Sequence, residues 1–431
     1  MNSDARPITY HRVVLGALTR AGDALAEITI QNENGEQQTC MVHVPAGLPG
    51  EDVTIAIEEA ATAPPKRRRR HWKPRPPRVW ISLFHATSAE RVQARCPVFG
   101  ECGGCQVQHM PYEQQLAWKR SIVEQLLREV GNFADPPLLE TVACDDPWGY
   151  RNHMRFSVNR AGQPGLTARG THRVLPLAHC PIAHEQINRA LNILSTLPNA
   201  RPQVLIRCGT ATGQVMIQPQ PEASIAQQLS DAGLELRGET MEERLAGETF
   251  RIRPSSFFQT NSAQAEKMMQ MVLEGLLRNA PRVVEQQTII DAYCGVGTFS
   301  LLLARRVGKV IAIEESASAI KDAQWNLREV SNVEILKGKV EDILPALEVS
   351  IDGLVIDPPR AGCQRSVLDT LAHHPVARIV YVSCDPSTLA RDLHILCHIH
   401  QTYRLRSVQP LDMFPQTAHI ECVAVLEHQS A

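Results

Sequence analysis

The chain has 431 residues, of which 43% are hydrophobic and 21% charged, with a net charge of -2. This is the make-up of a globular protein of two or three domains, and it rules out a collagenous or disordered chain; with so little net charge, any grip on a polyanion must come from local basic patches. No N-terminal stretch has the pattern of a signal peptide and no apolar run approaches ~18 residues, so the expectation is a cytoplasmic monomer with no membrane and no protein partner.

Taken in chain order, residues 10–14, 24–30, 39–44 and 53–58 alternate as short strands. Asn34-Gly35 and the turn at 47–50 separate them. The pattern predicts a small β-barrel of the OB type, an architecture that often binds oligonucleotides. Residues 66–78 then carry eight Lys or Arg and no acid, with Trp72 among them. The prolines there oppose a helix. So many close cations repel one another unless a polyanion compensates, so an extended arm touching phosphates is the expectation, against a solvated linker.

Cys96, Cys102 and Cys105 follow, interleaved with Gly100, Gly103 and Gly104. Twelve cysteines in a reducing compartment are not a disulfide framework. Three soft thiols this close call for a metal, and Cys180 before Pro181 is the best fourth ligand, with His109 and His179 as alternatives. Zinc sites usually pair two short Cys-x-x-Cys turns, and one is present here. Three clustered thiolates and one remote one suit a [4Fe–4S] cluster better.

Residues 111–130 read as an amphipathic helix with Pro111 at its start. Short strands alternate with Gly and Pro turns over 148–253, around a helix near 183–195. Beyond 260 the order becomes regular. Helices are predicted at 262–278, 298–306, 316–330, 364–373 and 386–398. Strands are predicted at 288–292, 309–314, 333–337, 351–357, 378–384, 403–409 and 419–427. That alternation predicts a mostly parallel α/β sheet with an antiparallel edge.

Three strand ends carry the chemistry. Asp291 to Thr298 includes Gly295 and Gly297 after a strand, with Ser300 where a dinucleotide fingerprint would have its third glycine. Glu314 ends the next strand, where an acid commonly holds ribose hydroxyls. This suits S-adenosylmethionine at least as well as NAD. Asp357-Pro358-Pro359-Arg360 ends another strand, and Ser383-Cys384-Asp385-Pro386 a third. A uracil ring would use such a set. Its carbon 5 is a poor nucleophile until a thiolate adds to carbon 6. A base must then remove the carbon-5 proton so that the thiolate can leave. Cys384 and Asp357 supply the thiol and the ring-holding group, and the segment His419 to Glu421 the base.

With these residues assembled, the chain resembles the RNA uracil-C5 methyltransferase family, and most the 23S rRNA branch that has an N-terminal TRAM domain and a [4Fe–4S] cluster. The resemblance implies a Rossmann-like S-adenosylmethionine-dependent methyltransferase domain over 256–431. It implies a TRAM-like barrel over 1–84 and a central α+β iron–sulfur domain over 85–255, with a helix over 111–136 packing on the catalytic domain. It implies cluster ligands Cys96, Cys102, Cys105 and Cys180, and cofactor contacts from Gln259, Tyr293, Glu314 and Asp357. Cys384 is then the nucleophile, Glu421 the general base, and a flipped uridine of RNA the substrate. Thr298 and Lys339 depart from the Asn that some members carry. The alternatives are a tRNA uridine as target, another base methyltransferase, and a non-enzymatic iron–sulfur RNA-binding protein.

Overall fold

The computed structural model describes residues 7–31, 36–58, 77–197, 201–278 and 283–430. The basic arm expected at 66–78 lies outside these, apart from Pro77 and Arg78.

Five N-terminal strands follow, with the alternation of buried and exposed side chains clearest in the second: β1 (Ile8–Val14), β2 (Ala24–Gln31), β3 (Gln37–Val44), β4 (Asp52–Glu58) and β5 (Arg78–Ala86). They form a sheet β1-β4-β5 and a hairpin β2-β3. The two enclose one core of Val13, Ala26, Ile28, Val53, Ile55 and others. The ladder is therefore in two pieces rather than one continuous barrel. β5 was not expected, because its side chains are all partly or fully exposed and its register slips at Asp52/Val53 and Thr54/Ile55.

Helix α1 (Tyr112–Glu129) places Ile122, Val123, Leu126 and Leu127 in the same core as the large C-terminal sheet. Burying four such side chains is worth roughly 6–12 kcal/mol before ordering entropy is subtracted. The helix does not run on to 136. The amides of Val130 and Gly131 both turn back to Leu126 O, and that of Phe133 to Leu127 O. Asn132 is left-handed at φ 59°, and a Cβ on Gly131 would meet Leu127 O at 2.6 Å. This is a left-handed helix stop.

The middle section contains β6 (His153–Val158), β7 (Pro164–Thr167), β8 (Val174–Pro176), α2 (Glu185–Ser195), β9 (Gln203–Cys208), β10 (Gln214–Gln218), α3 (Ala223–Asp231) and β11 (Glu235–Arg237). Its sheet runs β11-β10-β9-β6-β7-β8, with α2 and Leu229 of α3 in its core. A hairpin of β12 (Met241–Leu245) and β13 (Glu248–Ile252) leads on.

The C-terminal part contains α4 (Ser262–Leu277), β14 (Thr288–Ala292), α5 (Thr298–Ala304), β15 (Lys309–Glu314), α6 (Ala317–Asn326), β16 (Val333–Lys337), α7 (Val340–Ile343), β17 (Gly353–Ile356), α8 (Arg365–His373), β18 (Arg378–Ser383), α9 (Pro386–His394), β19 (Tyr403–Leu411) and β20 (Glu421–His428). The sheet order is β16-β15-β14-β17-β18-β20-β19. It is doubly wound, with the order reversing beside β14, where such sheets open a crevice at their carboxyl ends. The antiparallel strand is β20, one place in from the edge, and β19 is outermost. The long C-terminal helix ends at His394 and widens into a π turn, Ile395–Ile399. Among the described residues no helix is long and apolar enough to cross a membrane.

Candidate active site and cysteine cavity

The carboxyl ends of β14, β15, β17 and β18 open onto one cavity of about 470 Å³. Gln259, Tyr293, Glu314, Asp357, Cys384 and Glu421 all line it, as does Lys339. Thr298 lines only a smaller adjoining recess. A larger open groove along α4, about 1020 Å³, carries none of these residues. Register explains why residues 384 and 421 meet. β18 pairs antiparallel with β20, Ser383 opposite Cys422, so one further step along each strand sets Cys384 beside Glu421. Asp385 then caps α9 through its carboxylate, which accepts from Ser387 N at 2.9 Å.

The turn after β14 is preorganised. Tyr293 stands at φ 65°, unusual for a residue with a Cβ, and Gly295 and Gly297 at 57° and 84°. Glu314 is held by it: one carboxylate oxygen accepts from Gly295 N at 3.0 Å and the other from Ser316 N at 2.7 Å. Ser300, in place of a third glycine, donates its hydroxyl to buried Asp291 at 2.5 Å. The segment carrying Gln259 is braced by Asp322, which accepts from Ser256 Oγ at 2.7 Å and Arg253 N at 2.9 Å. Asn152 Nδ2 donates to Gln259 O at 3.1 Å.

The site is acid-rich and its acids are buried, which favours their protonated forms. Burial, then Glu421 and Asp357, push the Cys384 thiol up to about 11, while Arg360 opposes them. Burial and the nearby Asp291 push Asp357 up to about 7. Glu421, 3% exposed, is pushed well above the carboxylate range by burial and by Asp357. Like charges this close do not all ionise together. His419 lies outside the cavity lining. Its ring sits against Phe414 at 5.7 Å, and burial pushes it down to about 4.

Sequence reasoning missed Phe257, 68% exposed at the cavity wall, and Phe414. The first stands beside Gln259 in a legible motif. The second had no local signal.

Cys96, Cys102, Cys105 and Cys180 line a separate cavity of about 200 Å³ with Arg151 and Arg155. Backbone donors reach two of the sulfurs: Gly104 N lies 3.4 Å from Cys102 Sγ, and the amides of Ile182 and Ala183 face Cys180. Burial, with the neighbouring cysteines adding, pushes Cys105 up to about 12 and Cys180 up to about 11. Neither alternative ligand joins them. His109 is buried with its Nε2 3.2 Å from Gly47 O, and His179 is exposed. Among the described residues, no three His, Cys, Asp or Glu groups are placed to hold a single metal ion.

Residues 230–351 and 346–429 match the tRNA (uracil-5-)-methyltransferase family. An uncharacterised RNA methyltransferase of Gloeobacter violaceus is 34% identical, over 96% of each chain. One from Halalkalibacterium halodurans is 32% identical, over 90% of this chain and 92% of its own. Among solved structures, the Pyrococcus abyssi tRNA (uracil-54, C5)-methyltransferase with S-adenosyl-L-homocysteine superposes with a TM-score of 0.69 at 25% identity. It covers 96% of this chain and 99% of its own.

Proposed function

We propose that this chain, which belongs to the S-adenosylmethionine-dependent RNA uracil-5-methyltransferase family, methylates a uridine of 23S rRNA through a covalent Cys384 adduct. The observation that carries the covalent uracil chemistry in this reading, as distinct from its RNA target, is the convergence of Cys384, Asp357 and Glu421 with Gln259, Tyr293 and Glu314 on one cavity. Its volume of about 470 Å³ is in the range of small-ligand sites. S-adenosylmethionine, when bound, supplies an electrophilic methyl group. Glu314, fixed by Gly295 N, would hold its ribose hydroxyls, and Tyr293 and Gln259 would contact the rest of it.

The chain's own residues do the remainder. The target uridine leaves its stack and enters the cavity. The half-exposed Cys384 thiol loses its proton to solvent before the cavity closes, and the thiolate sulfur bonds to carbon 6, moving the ring electrons to the carbon-4 oxygen. Asp357 accepts a hydrogen bond from the ring or cofactor. Carbon 5 would then take the methyl group, displacing S-adenosyl-L-homocysteine as the methyl–sulfur bond breaks. Glu421, as carboxylate, then removes the carbon-5 proton, the carbon 5–carbon 6 double bond re-forms, and the Cys384 thiolate leaves. Closing the cavity by RNA replaces water with fixed dipoles, and Arg360 favours the anionic forms of both Cys384 and Glu421.

For the second cavity we propose a [4Fe–4S] cluster held by Cys96, Cys102, Cys105 and Cys180. An all-sulfur donor set of four cysteines around about 200 Å³, with one short Cys-x-x-Cys turn rather than two, supports a multi-atom cluster over zinc. Its role is structural, as it lies apart from the reacting groups.

A tRNA uridine is the second reading, because the solved neighbour acts on tRNA position 54. Comparing 5-methyluridine positions in rRNA and tRNA from a deletion strain and its parent separates the two. Loss of a 23S rRNA site supports the first. Loss of none refutes methylation at carbon 5 altogether. Cys384→Ala should abolish methyl transfer and keep RNA binding.

A further inference from the structure

Residues 412–418, between β19 and β20, join the four-cysteine loop to Glu421. Five consecutive carbonyls of this segment each accept from a side chain or amide elsewhere in the chain. Asp412 O accepts from Gln264 Nε2 at 2.9 Å, and Met413 O from Asn261 Nδ2 at 3.2 Å. Phe414 O accepts from Lys119 Nζ at 3.1 Å, and Pro415 O from Tyr150 Oη at 3.0 Å. Gln416 O accepts from the amides of Gln106 and Val107, the two residues after Cys105, at 3.1 and 3.2 Å.

Gln416 itself is left-handed at φ 70° and only 2% exposed. A large side chain keeps that backbone only when its surroundings hold it there. Gln115 does the holding: its Oε1 accepts from Gln416 N at 3.1 Å and its Nε2 donates to Gln416 Oε1 at 3.0 Å. Gln106 completes the link. Its Nε2 donates to Gly103 O, between Cys102 and Cys105, at 3.0 Å, and its Oε1 accepts from Ala418 N at 3.1 Å. One half-exposed side chain thus spans from the cysteine loop to a residue three before Glu421.

We propose that residues 412–418 form a strap through which the four-cysteine loop sets the position of Glu421, and that Gln106 is the positioning residue of this coupling. The segment has few ways to move without Glu421 moving, because β20 begins at that residue. The strap also takes donors from Asn261 and Gln264, just beyond Gln259. The occupant of the cysteine cavity and the cofactor segment therefore bear on the same backbone. This inference rests on the reading of Glu421 as the base that resolves the covalent adduct.

Hydrogen exchange on the full chain tests the coupling without catalysis. Protein reconstituted anaerobically with iron and sulfide is compared with the same protein after chelation. Faster exchange at the amides of 416–418 after chelation is expected, and unchanged exchange there overturns the coupling. Gln106→Ala should expose the Ala418 amide even in loaded protein. It should keep its iron, its S-adenosylmethionine affinity and its KM for RNA, while kcat falls about 3- to 10-fold, the worth of one or two modest hydrogen bonds. The fraction of RNA trapped on protein in denaturing gels should rise, because the step after methyl transfer is the one slowed. Gln106→Glu keeps the acceptor for Ala418 N but has no donor for Gly103 O, so it should protect the Ala418 amide while kcat stays low. A Gln106→Ala enzyme with normal kcat, or with adduct falling in step with kcat, overturns the assignment. Glu421→Gln is the control. If it traps no adduct, the role of Glu421 fails and this inference with it; if it traps adduct and Gln106→Ala does not, this inference fails alone.

Discussion

Glu421→Gln separates the two halves of the proposed reaction. The substitution keeps shape and hydrogen bonding in a site where residue 421 is 3% exposed, and removes only the basicity. Positioned general bases contribute about 10²- to 10⁴-fold, which is roughly 3–5 kcal/mol at the barrier for removing the carbon-5 proton. The first half should be kept. Burial and Asp357 favour the neutral form of Glu421, so a neutral Gln leaves the charge around the Cys384 thiol unchanged, and adduct formation at neutral pH should be as fast as in the parent. The assay uses total RNA from a deletion strain, S-adenosylmethionine labelled in its methyl group, and denaturing gels. Label should appear in a protein-linked RNA band that decays slowly, while free methylated RNA falls by the factor above. Normal release of methylated RNA by Glu421→Gln would refute the assignment of the base. Loss of both bands together would refute the separation of steps.

Three further outcomes follow from the charges. Asp291, 1% exposed, is pushed up to about 7 by burial. The folded state therefore keeps a proton between about pH 4 and 7 that the unfolded chain has lost. Stability from this group is full below about pH 4 and is lost as pH rises through 7, by at most about 1.4 kcal/mol per pH unit. Asp291→Asn should flatten the fall of the urea midpoint from pH 4.5 to 7.5, and an unchanged slope rejects this. Arg360→Met removes the cation opposing the rise of the Cys384 thiol; the pH profile of Cys384 alkylation, read by peptide mass spectrometry, should move to higher pH, and a fixed profile counts against Arg360. Lys119 and Asp412 pair at 2.5 Å with both side chains 0% exposed. Lys119→Met strands a carboxylate and should cost about 3–5 kcal/mol in unfolding, most of it regained in Lys119→Met with Asp412→Leu; a loss below about 0.5 kcal/mol for the single variant would show the pair to be dispensable.

What was legible in the sequence was whatever is local. The strands β14, β15 and β16 were foreseen to the residue, because each is a short run bounded by turn residues and ends where a motif begins. The cavity residues were legible for the same reason. A doubly wound sheet collects its strand ends on one side, so naming the strand ends named residues that line one cavity. The cysteines were legible by spacing, and the fold brings the remote Cys180 to the other three. What was hidden depends on partners far off in the chain. β5 has no buried alternation of its own, since it is laid onto β4 through two register slips. α3 buries a single side chain, Leu229, and so has little periodic signal. Lys119 and Gln115 stand on a helix whose polar residues read as solvent-facing, yet both are buried against Asp412 and Gln416, 293 and 301 residues away. The apolar positions of α1 announced a helix but not its buried polar stripe, because a buried Lys looks like an exposed one until its carboxylate arrives. The strand-end motifs therefore point to the groups proposed to react, while the geometry that holds Glu421 is written in residues whose roles appear only when distant segments meet.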